Sequence, residues 1–169
     1  FKEEKDDKVQ ATVVEHNHYR YWDHWFARGR KPHIHVVDCA SGKVRDLFAG
    51  TAYHLPPQEP DAALFDISPD SKELVFTFDT NPDPREFSFT DLVAMDVKTG
   101  KTTLLTVRDK ALARFAFEGP RYSPDGKYVG FLGCDYAQQH NEQHRAWLLE
   151  RKTKKPTPWS TTWDRGVNG

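Results

Sequence analysis

The chain has 169 residues, 37% hydrophobic and 13% aromatic, with a formal net charge of −1. That is length and apolar content enough for one domain with a real core, and it excludes a disordered composition. The balanced charge, with no basic block, argues against a nucleic-acid surface. No run of about 18 apolar residues is present to span a membrane as a helix.

Residues 1–8 (Phe1-Lys2-Glu3-Glu4-Lys5-Asp6-Asp7-Lys8) are charged and read as a solvated loop, and Val9 to Val14 alternates weakly, as a strand would. The ring-crowded stretch His16-Asn17-His18-Tyr19-Arg20-Tyr21-Trp22-Asp23-His24-Trp25-Phe26 follows, then a basic turn at Arg28-Gly29-Arg30-Lys31-Pro32. His33-Ile34-His35-Val36-Val37-Asp38 is strand-like. Ser41-Gly42-Lys43 turns the chain and Lys43-Val44-Arg45-Asp46-Leu47 runs back. The same hairpin returns as Leu92–Asp96, Thr99-Gly100-Lys101 and Thr102–Thr106, with 58 positions from Asp38 to Asp96. A third copy runs Ala146–Glu150, Lys152-Thr153-Lys154-Lys155 and Pro156–Trp159, with Glu150 54 positions after Asp96. No glycine closes this third turn, so its geometry is expected to differ.

A second phrase repeats beside the first. Ile67-Ser68-Pro69-Asp70-Ser71-Lys72-Glu73-Leu74-Val75-Phe76 returns 55 positions later as Tyr122-Ser123-Pro124-Asp125-Gly126-Lys127-Tyr128-Val129-Gly130-Phe131. Ser-Pro-Asp-Gly suits a tight turn: proline presets φ, aspartate bonds nearby backbone and glycine closes the turn. An apolar strand follows each copy. Each full period then holds four short strands: about 64–67, 73–78, 92–96 and 102–106, then about 119–122, 128–132, 145–150 and 157–159. Lys110–Phe117 reads either as one helical turn or as a strand approach. Four antiparallel strands recurring at this interval predict an all-β fold, a partial β-propeller of four-stranded antiparallel blades. The blade units are about 9–50, 60–107 and 112–160, with 161–169 entering the next blade.

The motifs in this order resemble the propeller of the prolyl oligopeptidase family of serine peptidases, a pattern that TolB-like propellers share. Tyr19-Arg20-Tyr21-Trp22-Asp23-His24-Trp25 leading to His33–Asp38 is similar to the acylaminoacyl-peptidase-like branch. So are Lys43–Leu47 leading to Leu55-Pro56-Pro57, Glu142-Gln143-His144-Arg145 before a strand, and Thr162-Trp163-Asp164-Arg165. Two departures stand out: Ser71 replaces the usual turn glycine, and Gln143-His144 occupies the place of a small residue and an aspartate. The resemblance implies a chain that caps an active site and gates short peptides. It implies an α/β-hydrolase domain carrying a Ser-Asp-His triad beyond Gly169, and it leans toward the bacterial periplasm.

The chain has no Gly-x-Ser-x-Gly elbow, so no catalytic residue is expected in it. Ser68 and Ser123 read as turn residues. His33 and His35 alternate on one strand face and, with His16 and His18, raise a metal site; no cysteine or carboxylate completes a ligand spacing, so packed or surface histidines are the expectation. Tyr21, Trp22, Trp25 and Phe26 line a peptide channel or fill the space between blades, and packing is expected. Arg20, Arg28 and Arg30 are expected to be solvated rather than to clamp a substrate carboxylate. Glu142 and Arg145 are expected to form an interblade salt bridge. Cys39 and Cys134 are expected to be buried free thiols. No cofactor or metal is expected. Unclosed blades should expose faces and edges, so self-association is expected.

Overall fold

The computed structural model describes residues 20–21, 23–25, 31–57, 60–80, 89–106, 115–135 and 143–167. Strands β1 (Arg20–Tyr21) and β2 (His24–Trp25) pair as a minimal ladder, and β3 (His35–Val37) pairs with β4 (Val44–Asp46). A 3-10 turn at Ala62–Leu64 leads into β5 (Phe65–Ile67), β6 (Glu73–Asp79), β7 (Thr90–Asp96) and β8 (Thr102–Leu104), an antiparallel sheet in sequence order. A second such sheet holds β9 (Phe115–Tyr122), β10 (Tyr128–Asp135), β11 (Arg145–Glu150) and β12 (Lys155–Pro158). The described residues thus form an all-β partial propeller. The segment between 110 and 117 resolves in favour of strand where it is described, since Phe115–Phe117 belongs to β9. The expected strand at 9–14 lies outside the described residues.

Backbone register proves the repeat. The Leu47 N–H donates to the Ile34 carbonyl, the Leu105 N–H to Leu92 and the Trp159 N–H to Ala146, at 2.9, 2.8 and 2.8 Å. Positions 34, 92 and 146 are therefore equivalent, and β3–β4 is the counterpart of β7–β8 and β11–β12. The pairs Val37–Val44, Met95–Thr102 and Leu149–Pro156 fall in the same register.

Alternate side chains of the middle sheet go to opposite faces, and both faces are covered. Leu74, Phe76, Val93 and Met95 pack against Ile34, Leu47, Phe48 and Leu55. Val75, Leu92, Ala94 and Leu105 pack against Phe117, Val129, Phe131, Trp147 and Leu149 of the third sheet. Double-sided burial is why β6 and β7 read as apolar runs rather than as an alternation. The third sheet contains its own tight fit: the indole of Trp147 lies over Gly133, where a Cβ would stand 2.5 Å from Nε1.

The Ser-Pro-Asp turns are built alike. Ser123 Oγ donates to Asp125 Oδ1 at 2.7 Å and accepts the Tyr128 N–H at 3.0 Å; Ser68 Oγ donates to Asp70 Oδ1 at 2.7 Å and accepts the Glu73 N–H at 2.9 Å. The fourth residue is left-handed in both, Gly126 at φ 68° and Ser71 at φ 59°. The second family of hairpins corrects one expectation. Lys154 takes φ 55° where Gly42 and Gly100 take 67° and 73°, and its N–H bonds the Glu150 carbonyl at 2.8 Å as Gly100 bonds Asp96. The turn without glycine keeps the shared geometry, because strands already held in register impose it on lysine. Two further corrections concern the last strand and a thiol. The outer strand of the third unit is Lys155–Pro158, leaving Trp159 beyond it, and Cys39 is exposed in its turn while Cys134 is buried, neither in a disulfide.

In β9 two residues, Gly119 and Pro120, oppose Phe131 alone, because the pairing shifts between Arg121–Gly130 and Glu118–Leu132. Gly119 supplies φ 62°, and Pro120 is tolerated because β9 is an edge strand.

The two left-handed Ser-Pro-Asp turn positions generate a paired prediction. Ser71→Gly should raise the denaturant midpoint by relieving about 1 kcal/mol of left-handed strain, and Gly126→Ala should lower it by about as much. Shifts of the same sign would contradict the equivalence of the turns.

Candidate functional site

A group of polar side chains meets at the junction of the middle and third sheets. The bulge at Gly119-Pro120 aims Arg121 across to the middle sheet, where its guanidinium donates to the carbonyls of Phe65, Ala63 and Ala62 at 3.1, 3.2 and 3.4 Å. The Tyr122 N–H donates to Asp66 Oδ2 at 2.8 Å, and its hydroxyl to Glu73 Oε1 at 2.6 Å. Arg151 closes the cluster: it bonds Glu73 Oε1, donates to the Gly126 carbonyl at 2.9 Å and lies over the Tyr122 ring at 5.2 Å. Burial and the Glu73 carboxylate push the Tyr122 hydroxyl far above the usual phenol range, so it stays a neutral donor. This clasp links two sheets; its atoms are engaged with one another.

Within the middle sheet the buried Asp91 accepts the hydroxyls of Thr80 at 2.6 Å and Thr106 at 2.7 Å, and Thr106 Oγ1 in turn accepts the Leu92 N–H at 3.0 Å. By the register above, His33 and Arg145 stand at the equivalent place in the other units. Arg145 donates to the carbonyls of Trp163 at 2.6 Å, Ser160 at 3.4 Å and Arg165 at 3.4 Å, tying down the segment after β12. Glu142 lies outside the described residues, and with it the salt bridge expected of Glu142 and Arg145. The neighbouring His144 sits 3.0 Å from Glu118 Oε1, and that hydrogen bond raises the imidazole above its ordinary value against the opposing effect of burial.

The other sequence-singled residues fall as follows. His33 Nδ1 lies 2.8 Å from Asp46 Oδ2 and His35 Nε2 3.9 Å from the same oxygen, so a carboxylate that the sequence reading left aside brings the two imidazoles together. The His33 hydrogen bond holds the Asp46 carboxyl below the usual range. Among the described residues no group of three or more His, Cys, Asp and Glu side chains is arranged to hold a metal ion. Ser68 and Ser123 bond their turn aspartates, not an imidazole, and the Ser123 hydroxyl holds Asp125 down to about 2. His16, His18, Trp22, Phe26, Arg28 and Arg30 lie outside the described residues. Arg20, Tyr21 and Trp25 are placed by backbone pairing alone. The sequence reading missed the clasp entirely; the one signal for it was Tyr122 directly before the repeated turn.

This arrangement of stacked sheets and interlocked polar junctions defines a β-propeller segment. No protein-family model matches the sequence. The chain is 27% identical over 149 residues to dipeptidyl-peptidase 5 of Porphyromonas endodontalis, covering 85% of this chain and 21% of that protein. It is 21% identical over 169 residues to dipeptidyl-peptidase 5 of Porphyromonas gingivalis, covering 96% and 24%, and 22% identical to a probable dipeptidyl-peptidase 5 of Emericella nidulans. The chain therefore spans under a quarter of the length of these curated relatives. Among solved structures, TolB of Acinetobacter baumannii superposes with a TM-score of 0.53 at 14% identity, over 78% of this chain and 27% of that one. The structural likeness shows the propeller fold, and the sequence likeness links the chain to peptidases.

The Glu118–His144 pair generates a pH prediction. His144 is raised in the folded state, so its contribution is fully present below the unfolded imidazole value and is lost as pH rises through the folded one. Between about pH 6 and about pH 8 the denaturant midpoint of the native chain should fall more than that of Glu118→Gln. Parallel pH curves would show that the pair contributes nothing.

Proposed function

We propose that this chain is a non-catalytic propeller segment of a serine peptidase of the prolyl oligopeptidase family, acylaminoacyl- or dipeptidyl-peptidase-like, and that it caps the active site and gates the entry of short peptides. The observation that carries the reading is the alignment with proteins named dipeptidyl-peptidase 5 over 85% to 96% of the chain, in a segment folded as propeller sheets. The site chemistry is consistent with it. The side chains of Arg121, Tyr122 and Arg151 fasten the third sheet to the middle one, which suits a cover better than a reaction centre. A stiff cover selects by size, admitting an extended peptide and excluding a folded protein.

The purified 169-residue chain should hydrolyse neither chromogenic dipeptide nor acyl-amino-acid substrates, because its sequence carries no Gly-x-Ser-x-Gly elbow to present a nucleophile. The gene that encodes it should carry a Gly-x-Ser-x-Gly elbow followed by aspartate and histidine. A gene encoding the propeller without that elbow would replace the peptidase reading by that of a binding propeller, and turnover by the pure chain would overturn the assignment of catalysis elsewhere.

A further inference from the structure

Arg121 is the member of the clasp whose bonding leaves one side unused. Its Nη1 carries the short contacts, to the carbonyls of Pro120 at 2.7 Å, Phe65 at 3.1 Å and Ala63 at 3.2 Å. Its Nη2 reaches the Ala62 carbonyl at 3.4 Å, and its Nε has no partner among the described residues. The Nε–Nη2 side of a guanidinium is an edge on which a carboxylate docks with two parallel hydrogen bonds. No carboxylate of the described residues fills it. Asp66, at the equivalent position 55 residues earlier, accepts the N–H of Ile67 and of Tyr122 instead. Asp61, beside the capped carbonyls, accepts the Ala63 N–H at 2.7 Å. Arg121 is thus an exposed cation, held in place by main-chain carbonyls and without an ion pair among the described residues.

Its place in the fold says what meets it. Strands β5 and β9 lie side by side, bonded through Tyr122 and Arg121, whereas β8 and β12 exchange no hydrogen bond among the described residues. The sheets converge on their first strands, and that side of a propeller borders its central channel. Neighbouring sheets stack on faces, so this edge does not owe its exposure to where the sequence begins or ends. Arg121 also leans back over the middle sheet, which is covered on both faces. The bulge at Gly119-Pro120 turns it there, and bulges that re-aim one side chain are frequent beside functional sites.

We propose that Arg121 lines the passage of the propeller and takes the carboxylate of a peptide moving through it. The cover then favours peptides that carry an accessible carboxylate over their neutral counterparts. The inference rests on the gating role proposed above and adds a charge preference that size selection does not give. The guanidinium is already held, so little side-chain freedom is lost when a carboxylate docks. The contact is between solvent-exposed charges, so it weakens as salt rises.

The test uses the intact enzyme encoded by the gene that carries this segment. The substrates are short peptides with a free C-terminus or a C-terminal carboxamide, each with Glu or Gln at an interior position, so that the two sources of carboxylate are read separately. The native enzyme should favour at least one carboxylate form over its neutral counterpart by about tenfold in kcat/KM, carried by KM. Added salt should shrink that preference. Arg121→Gln should bring the ratio near unity by raising KM for the carboxylate peptide alone. Arg121→Lys, which keeps the charge without the fork, should give an intermediate ratio, and it stands in for the glutamine variant if that one loses the native circular dichroism. A native enzyme indifferent to the carboxylate overturns the inference. So does a folded variant that keeps the full preference, or one that loses activity on acid and neutral peptides alike, as a purely structural arginine would. If the intact protein hydrolyses no peptide, the peptidase reading fails, and calorimetric titration with the same peptides decides Arg121 separately. Tighter binding of the acid forms, lost in Arg121→Gln, then supports the site, and equal binding of acid and neutral forms overturns it.

Discussion

Everything in this structure depends on the middle sheet being buried on both sides. Phe76 and Phe48 meet at 4.8 Å between ring centres on one side, and Phe117, Phe131 and Trp147 interlock on the other. A fully buried large apolar side chain contributes about 2 kcal/mol, and the middle sheet holds such residues on each face of two adjacent strands. The side chains of the Glu73–Arg151 pair in the clasp remain 28% and 32% exposed, and solvent-screened pairs are commonly worth under about 1 kcal/mol. Apolar stacking therefore supplies the adhesion between sheets. The clasp supplies angle and register, since Arg121 and Tyr122 meet their acceptors at only one relative placement of the sheets.

The turns serve the same end from outside. Each Ser-Pro-Asp turn spends its serine and aspartate on local backbone, so the chain reverses without borrowing partners from neighbouring sheets. The Asp38 and Asp96 hairpins do likewise, with the carboxylate accepting the N–H of Ser41 at 2.7 Å and of Thr99 at 2.6 Å. Self-sufficient turns let the sheets repeat at intervals of 54 to 58 residues while the residues between them vary. That independence suits a scaffold that presents loops around a passage, the arrangement that the gating proposal needs.

The fold was legible because its signals are local. Proline, aspartate and glycine at fixed offsets mark turns, and two copies at one interval mark a repeat. The position of Ser71 was legible for the same reason, and its φ is as left-handed as that of Gly126. Lys154 was misjudged from sequence because propensity says glycine there, while register inherited from the flanking strands decides the conformation. The site was far less legible. Glu73 and Arg151 lie 78 positions apart and Asp66 and Tyr122 lie 56 apart, and no composition or spacing joins them before the sheets stack. Asp46 escaped notice because it faces His33 across a hairpin that the sequence marks only as alternating apolar residues.

The central claim is that a middle sheet, covered on both faces, holds the stack together. Native-state hydrogen exchange, read residue by residue, tests this most directly. Amides of Leu74–Phe76 and Leu92–Met95 should exchange slowest and share a single opening free energy, with the β3–β4 amides opening earlier. If β3–β4 proves as protected as the middle sheet, or if β6 and β7 open independently of each other, the middle sheet is not what holds the stack together.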